Sequence, residues 1–184
     1  YLNPLTDNIE SFRFSIFLVS MISPILFYYC LVKKFTKTRK IYLAIIAVTI
    51  LLSPYYRTSS YWGLEENFGL ITSLISIFFF FDYEKNRSNI NLFLLTLFSS
   101  MCIYFDQKLL IIPLIFFLKI FFSEKYIGKK MALVFLYFLF SSPYIYLIYK
   151  WNGIFPPSHA ELHDLDVILW DNMIYAITIM AIYF

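Results

Sequence analysis

Apolar runs and short polar segments alternate along the whole chain. Runs such as FLLTLFSSM and MALVFLYFLF are apolar at consecutive positions rather than at every second one, which favours helices over strands. A helix needs about 20 residues to cross the hydrocarbon core of a bilayer, and somewhat fewer when flanking side chains reach the interface. The pattern predicts seven spans, at residues 12–32, 41–56, 67–82, 90–105, 108–122, 131–149 and 171–184.

Residues 90–122 are predicted to form two spans rather than one. A single straight helix of that length would measure about 50 Å, at about 1.5 Å per residue, which exceeds the bilayer core. Asp106-Gln107-Lys108 interrupts the run near its middle. We therefore expect two short spans that meet at this tripeptide, so that residues 82–89 and 123–130 share one side of the membrane.

Composition narrows the class of protein. Hydrophobic residues make up 60% of the 184 positions and charged residues only 15%, whereas soluble domains have about 45–50% and about 25%. In hydrocarbon, only helices or a closed barrel satisfy the backbone, and a barrel would show strict alternation. The prediction is an all-α, polytopic transmembrane helical bundle of about seven spans, forming a single transmembrane domain over residues 1–184. We expect this domain to be incomplete at both ends, an internal piece of a larger protein.

Basic residues orient the predicted bundle. Eleven of the 15 Lys and Arg residues, but only three of the 12 acids, lie in residues 33–40, 82–89 and 123–130 or at Lys119. Short loops rich in Lys and Arg stay in the cytoplasm. The opposite, outward side then holds nine acids, Arg13, Arg57, Lys108 and Lys150, and the chemically unusual loops, so functional chemistry is expected there.

An acid pair immediately precedes the third predicted span on the outward side. Glu65 and Glu66 are candidates for a general base, for a metal-binding carboxylate or for orienting a substrate hydroxyl, and Glu66 is favoured because it stands deeper, next to Asn67. Trp62 beside them is a candidate platform for a sugar ring. The simpler interpretation is that acids at a helix N-terminus are stabilised by the helix dipole, by about 0.3–1 kcal/mol, and that the aromatic residues belong to the interfacial belt.

Cations near the outer interface are candidates for binding a phosphate or diphosphate. They are Arg57, Lys108 and Lys150, and basic residues that merely reach the interface are the competing interpretation. Asp106 lies two residues from Lys108 in a tight turn, where a plain ion pair competes with a functional role.

The outward loop 150–170 contains two histidines. His159 and His163 would share one face of a helix, but Glu161 is not at the offset of the H-E-x-x-H zinc signature, so solvated loop histidines are favoured over a metal site. Pro156-Pro157 followed by Ser158, a natural helix cap, predicts a short interfacial helix bearing both histidines.

Four stretches, in order, resemble one family. They are Phe12-Arg13-Phe14, Tyr61-Trp62-Gly63-Leu64-Glu65-Glu66, Phe105-Asp106-Gln107-Lys108, and Trp151-Asn152-Gly153-Ile154 followed by Ser158-His159 and Leu162-His163. The chain resembles C-type glycosyltransferases, in particular the dolichyl-phosphate-glucose α-1,2-glucosyltransferase family. Two stretches depart from that pattern: Phe155-Pro156-Pro157 replaces Gly-Asp-Lys, and Asp106-Gln107-Lys108 replaces the Arg-Gln step.

The resemblance implies inverting transfer of a sugar from a polyprenyl-phosphate donor to a glycan or lipid-linked acceptor on the non-cytoplasmic face. It implies that Gln107, Trp151, Asn152, His159 and His163 bind substrate, beside the candidates above. The family's acidic motif would lie upstream of Tyr1, so this piece alone is expected to be inactive. A divalent metal is compatible with the residues but no ligand set is assigned.

Two other classes compete with the enzyme interpretation: a lipid or glycan transporter or flippase, and a non-catalytic membrane subunit of a glycan-assembly complex. Only four glycines occur in the chain, which disfavours the broken helices of ion-coupled transporters. Membrane lipids are expected partners and nucleic acid is not. A bacterial inner membrane is favoured over the endoplasmic reticulum because no eukaryotic targeting feature is present.

The topology has a direct test. In a background lacking Cys30 and Cys102, single cysteines at positions 37 and 158 should react differently with a membrane-impermeant maleimide added to intact cells. The Ser158→Cys variant should be labelled and the Lys37→Cys variant should not, since loops rich in Lys and Arg stay inside. Labelling of position 37 without position 158 would contradict the orientation.

Overall fold

The computed structural model describes residues 8–62 and 64–152, and these are all-helical. The helices are α1 (Ile9–Ser20), α2 (Ile22–Lys34), α3 (Lys40–Val48), α4 (Pro54–Trp62), α5 (Glu66–Asn86), α6 (Asn89–Phe105), α7 (Ile111–Ser123) and α8 (Ile127–Trp151), with 3-10 turns at Thr49–Leu52 and Gln107–Leu110. The described residues therefore confirm the all-α class. Helical structure covers most of the first six predicted segments, and the seventh, 171–184, lies outside the described residues.

Fewer of the described helices are long and apolar enough to cross a membrane than the hydrophobic pattern predicts. Among the described residues, Ile9–Lys34 and Ile127–Trp151 are long and apolar enough to cross a bilayer. A third span results if Lys40–Leu52 and Tyr56–Trp62, bent by 61°, count as one. Of the other predicted spans, α6 has only 17 residues and α7 only 13, and α5 contains several charged residues. The seventh, 171–184, lies outside the residues that were searched.

Helix α4 occupies a region that the sequence pattern assigns to the end of a span and to a loop. Ser53 has extended backbone and its Oγ accepts a 3.4 Å hydrogen bond from the Tyr56 backbone N–H. Pro54 follows as the first helical residue, where its missing N–H costs nothing and its fixed φ suits a helix. The Ser-Pro pair therefore ends the preceding helical stretch and starts a new helix.

Helices α5 and α6 form the most extensive helix pair of the fold. Small hydroxyl residues are buried on both helices, among them Ser73 and Ser76 on α5 and Ser99 on α6. Such residues allow helix backbones to approach closely, and each of these hydroxyls donates to a carbonyl of its own helix. Helix α7 joins the pair through Phe80 and Phe116, whose rings stack at 4.6 Å.

Three ion pairs join the basic segments at the C-terminal end of α5. Lys33 of α2 pairs with Asp82, Lys119 of α7 pairs with Glu84 at 2.6 Å, and Arg87 pairs with Glu124 at 3.4 Å. The structure therefore brings residues 33–40, 82–89 and 123–130 to the same end of the helices, as the charge pattern predicts. The compartment in which they lie stays a prediction.

Glu124 is the most deeply buried of these acids, with 7% of its surface exposed. Tyr83 donates its hydroxyl to Oε2 at 2.8 Å, and the backbone N–H groups of Lys125 and Tyr126 donate to Oε1. Burial alone would raise the pKa of Glu124. The hydrogen bonds from Tyr83 and Tyr126, together with the nearby cations Lys129 and Arg87, outweigh burial and hold the pKa below its usual value.

The chain divides into two compact units, with the boundary between Ser142 and Pro143, inside α8. The first contains α1 to α7 and most of α8. Its apolar core is built from residues of α5, α6, α7 and α8, including Leu92, Leu95 and Leu133. In the second unit, the described residues are the end of α8 and Asn152, which has a left-handed φ of 53°.

Glu124 should make folding stability depend on pH. Its pKa is lower in the folded chain than in the unfolded one, where it is about 4.3. The carboxylate therefore stabilises the fold above that pH, and the contribution is lost as the pH falls through the folded-state pKa. In detergent-solubilised protein, Glu124→Gln should lower the stability at pH 7 by about 1–3 kcal/mol and flatten its pH dependence below pH ~5.

The control for this prediction is Glu10→Gln. Glu10 is an exposed acid in the first turn of α1, so its loss should leave the pH profile of the melting temperature close to that of the parent protein. Parallel profiles for the parent protein and the Glu124→Gln variant would show that Glu124 does not anchor the segments.

Candidate functional site

The candidate site lies at the N-terminal end of α5, the end opposite to the ion pairs. Glu65 immediately precedes the helix and is exposed, Glu66 is its first residue and is half-buried, and Asn67 is buried. Both acids face the positive end of the helix dipole. Glu66 is thus the less exposed member of the acid pair.

Asn67 connects α5 to α4. Only 1% of its surface is exposed, and its Oδ1 accepts hydrogen bonds from the hydroxyls of Ser59 and Ser60 at 3.3 and 3.4 Å. Its Nδ2 has no hydrogen-bond partner among residues 8–62 and 64–152. These bonds fix the loop that carries Glu65 against the last turn of α4.

Arg13 of α1 contacts the aromatic pair at the end of α4. Its guanidinium lies 4.7 Å from the ring centroid of Trp62 and 5.5 Å from that of Tyr61. Cation–π contacts of this kind stabilise by about 0.5–1 kcal/mol at exposed sites. The two rings are also edge-to-face with each other, with centroids 5.2 Å apart. Because both aromatic side chains remain more than half exposed, they retain surface for a further contact.

The turn between α6 and α7 packs against the first turns of α5. A Cβ built on Gly69 would lie 3.1 Å from Leu109 Cδ1 and 3.2 Å from Asp106 Cβ. The ring of Phe68 lies 5.7 Å from that of Phe105, centroid to centroid. The absence of a side chain at Gly69 therefore permits the close approach of the two segments.

Asp106 caps the 3-10 turn Gln107–Leu110. Its Oδ1 accepts from the backbone N–H of Lys108 at 3.0 Å, and only 7% of its surface is exposed. Its extended backbone (φ −148°, ψ 110°) ends α6, so the predicted break at this tripeptide is present in the structure. Gln107 is half-buried and Lys108 is exposed beside it.

The remaining candidates divide between three places. Arg57 is exposed on α4, four residues before Tyr61 and so on the same helix face. Lys150 and Trp151 end α8 and Asn152 follows it. These three residues belong to the second unit. His159, His163 and the predicted interfacial helix over residues 158–168 lie outside the described residues.

Within the described part of the chain, no group of three or more His, Cys, Asp or Glu side chains is arranged to hold a metal ion. A shallow groove on α7 is lined by Ile115, Leu118, Lys119, Phe122 and Ser123. It contains none of the predicted site residues, and its lining is mainly apolar.

Two residues of the site were not among the sequence-based candidates: Arg13 and Asn67. A basic residue at the outward end of the first predicted span, paired with an aromatic doublet in the next outward loop, was the available signal for Arg13. For Asn67 the signal was a polar residue directly after two acids in an otherwise apolar helix. Neither signal identifies the partner side chain, which only tertiary packing supplies.

No protein-family model, no curated protein and no solved structure matches this chain. The described structure defines the class as an all-helical protein with two helices that could cross a membrane. The family resemblance of the four stretches stays a prediction.

Gly69 offers a test of the packing that forms the site. Gly69→Val should destabilise the protein by about 1–3 kcal/mol, the usual cost of overpacking, because its Cβ would press on Asp106. The comparison variant is Gly128→Val, at a helical glycine where the added Cβ would meet no atom within 4 Å beyond its chain neighbours and its own helix backbone. Thermal unfolding in detergent measures both variants. Equal stability of the two would contradict the close approach of α5 to the Asp106 turn.

Proposed function

We propose that this chain is part of a multi-span membrane glycosyltransferase. It would transfer a sugar from a polyprenyl-phosphate donor to a glycan or lipid-linked acceptor on the non-cytoplasmic face. In this proposal α3, α5, α6 and α7 also lie within the bilayer, beside the two helical stretches of the described residues that are long enough to cross it.

The observation that supports the proposal is that three of the four family-like stretches lie at the N-terminal end of α5. Arg13, from the first stretch, lies against Trp62 of the second. The second stretch leads directly into α5, and Gly69 of that helix packs against Asp106 of the third. Stretches separated by about 40 residues need not lie close together in a fold. A shared binding site requires them to do so, and these three stretches lie at the same end of α5.

The charges at this end suit the proposed chemistry. Arg57 and Lys108 are exposed cations that would bind the phosphate of the donor and stabilise its charge as the sugar leaves. Trp62 would stack on a sugar ring. Glu66, half-buried at the start of α5, would orient the acceptor hydroxyl or the donor sugar by a hydrogen bond.

The bond changes follow from the donor chemistry. The acceptor hydroxyl oxygen forms a bond to the anomeric carbon while the bond from that carbon to the phosphate oxygen breaks, and the configuration at the anomeric carbon inverts. The hydroxyl proton passes to a carboxylate, which in the family that the chain resembles belongs to the first outward loop. The lipid phosphate leaves with the electron pair.

Glu66 provides the test. In the full-length protein, Glu66→Gln should reduce turnover at least about tenfold, equivalent to about 1.4 kcal/mol on the barrier, because a neutral amide is a weaker acceptor for the substrate hydroxyl. Transfer of radiolabelled sugar from polyprenyl-phosphate donors to lipid extract measures the rate.

Glu65→Gln is the matched control, since Glu65 is exposed and directly adjacent. It should retain most of the activity, and both variants should express and insert like the parent protein. If both variants transfer sugar at nearly the parental rate, the acid pair has no role in catalysis and only interacts favourably with the helix dipole. A full-length protein that transfers no sugar but moves lipid-linked sugar across vesicles would favour the transporter class instead.

A further inference from the structure

The turn between α2 and α3 carries an unbalanced positive charge. Residues 33–40 contain five basic residues and no acid: Lys33, Lys34, Lys37, Arg39 and Lys40. Lys33 pairs with Asp82 of α5. The other four are exposed, and no acid of the described residues forms an ion pair with any of them.

The acids of the neighbouring segments already form ion pairs with other residues. Asp82, Glu84 and Glu124 are the only acids in the three basic segments, and each forms one of the three ion pairs. The basic segments together with Lys119 therefore keep a net charge of +8. Cations gathered at one end of a helix group repel one another, and anions from outside the chain would relieve that repulsion.

Exposed apolar surface begins on both sides of the turn. Ile25 and Tyr29 are more than half exposed on α2, as are Ile41 and Ile45 on α3. Phe35, inside the turn, is also 49% exposed. The cations thus stand where two apolar helix surfaces end, which is the position of lipid headgroups along a membrane-embedded helix.

We propose that the α2–α3 turn is a binding surface for anionic phospholipid headgroups. Lys37, Arg39 and Lys40 bind the phosphate oxygens, and Phe35 and Ile41 contact the acyl chains just below. The aromatic and apolar neighbours select a lipid over a soluble polyanion, since a soluble polyanion has no chains to cover them. This surface lies at the end of the helices opposite to the proposed sugar-transfer site, and it does not depend on that activity.

Lipid competition on the full-length protein tests the proposal. The protein, purified in mild detergent, is incubated with phosphatidylglycerol or phosphatidylcholine, and retained lipid is counted by native mass spectrometry. Phosphatidylglycerol should be preferred at least about tenfold, because each cation near the surface adds to the attraction of an anionic headgroup. The preference should weaken as salt is raised. The triple variant Lys37→Ser/Arg39→Ser/Lys40→Ser should lose it.

Two controls separate charge from structure. The charge-retaining variant Lys37→Arg/Arg39→Lys/Lys40→Arg should keep the preference, and Lys125→Ser, which removes a cation from another segment, should keep most of it. If the triple variant does not fold, Lys37→Ser alone, in the middle of the turn, should reduce the preference measurably.

Three results would overturn the proposal. They are equal retention of the two lipids by the parent protein, no loss of preference in the charge-removing variants, and displacement of phosphatidylglycerol by an oligonucleotide or by inorganic phosphate at equal concentration. The last result would identify a site for soluble anions rather than a lipid surface.

Discussion

A buried carboxylate needs partners, and Glu124 shows how this requirement organises one end of the protein. Taking a charge out of water costs several kcal/mol unless hydrogen bonds and an opposite charge replace the lost hydration. Tyr83, Arg87 and two backbone N–H groups meet the requirement for Glu124. These groups come from the end of α5, the loop after it and the connection between α7 and α8. Satisfying one side chain therefore fixes the relative positions of segments that are about 40 residues apart in the chain.

The two ends of α5 consequently differ in what their charges do. At the C-terminal end, Asp82 and Glu84 pair with lysines of α2 and α7, so acids hold helices together, and most of the remaining cations are exposed. At the N-terminal end, Glu65 and Glu66 make none of the three ion pairs of the described residues, and Asn67 and Gly69 make the contacts to α4 and to the Asp106 turn. Acids that do not hold the fold together remain available for a substrate, which is why the second end is the better place for chemistry.

Much of the helix layout follows from hydrophobic runs and from side-chain chemistry near the breaks. The interruption at Asp106 could be predicted because a helix through residues 90–122 would be too long for a bilayer. Helix α4 was not predicted, because the predicted span 41–56 runs through Ser53-Pro54, where Ser53 caps a new helix. The number of spans was harder to predict than the positions of the helices, since local hydropathy does not reveal how a short helix such as α7 lies in the bilayer.

The sequence pattern does not predict which side chains of distant helices contact each other. The acid pair at the start of α5 and the basic segments were found from residue type and position. The stacking of Arg13 on Trp62, the burial of Asn67 and the pairing of Tyr83 with Glu124 depend on tertiary packing of distant helices. Residues 153–184, which include the predicted histidine candidates, lie outside the described structure, so their relation to the acid pair stays a prediction.

Photoaffinity labelling tests the central claim, that the N-terminal end of α5 binds a polyprenyl-phosphate sugar. The full-length protein in lipid nanodiscs would be irradiated with a photoactivatable donor analogue, and the modified peptides mapped by mass spectrometry. Modification should concentrate in residues 57–66 and 105–108. Excess unlabelled donor should suppress it, whereas the same polyprenyl lipid without the sugar phosphate group should not. Labelling spread evenly over the apolar helices, or unaffected by the unlabelled donor, would contradict it.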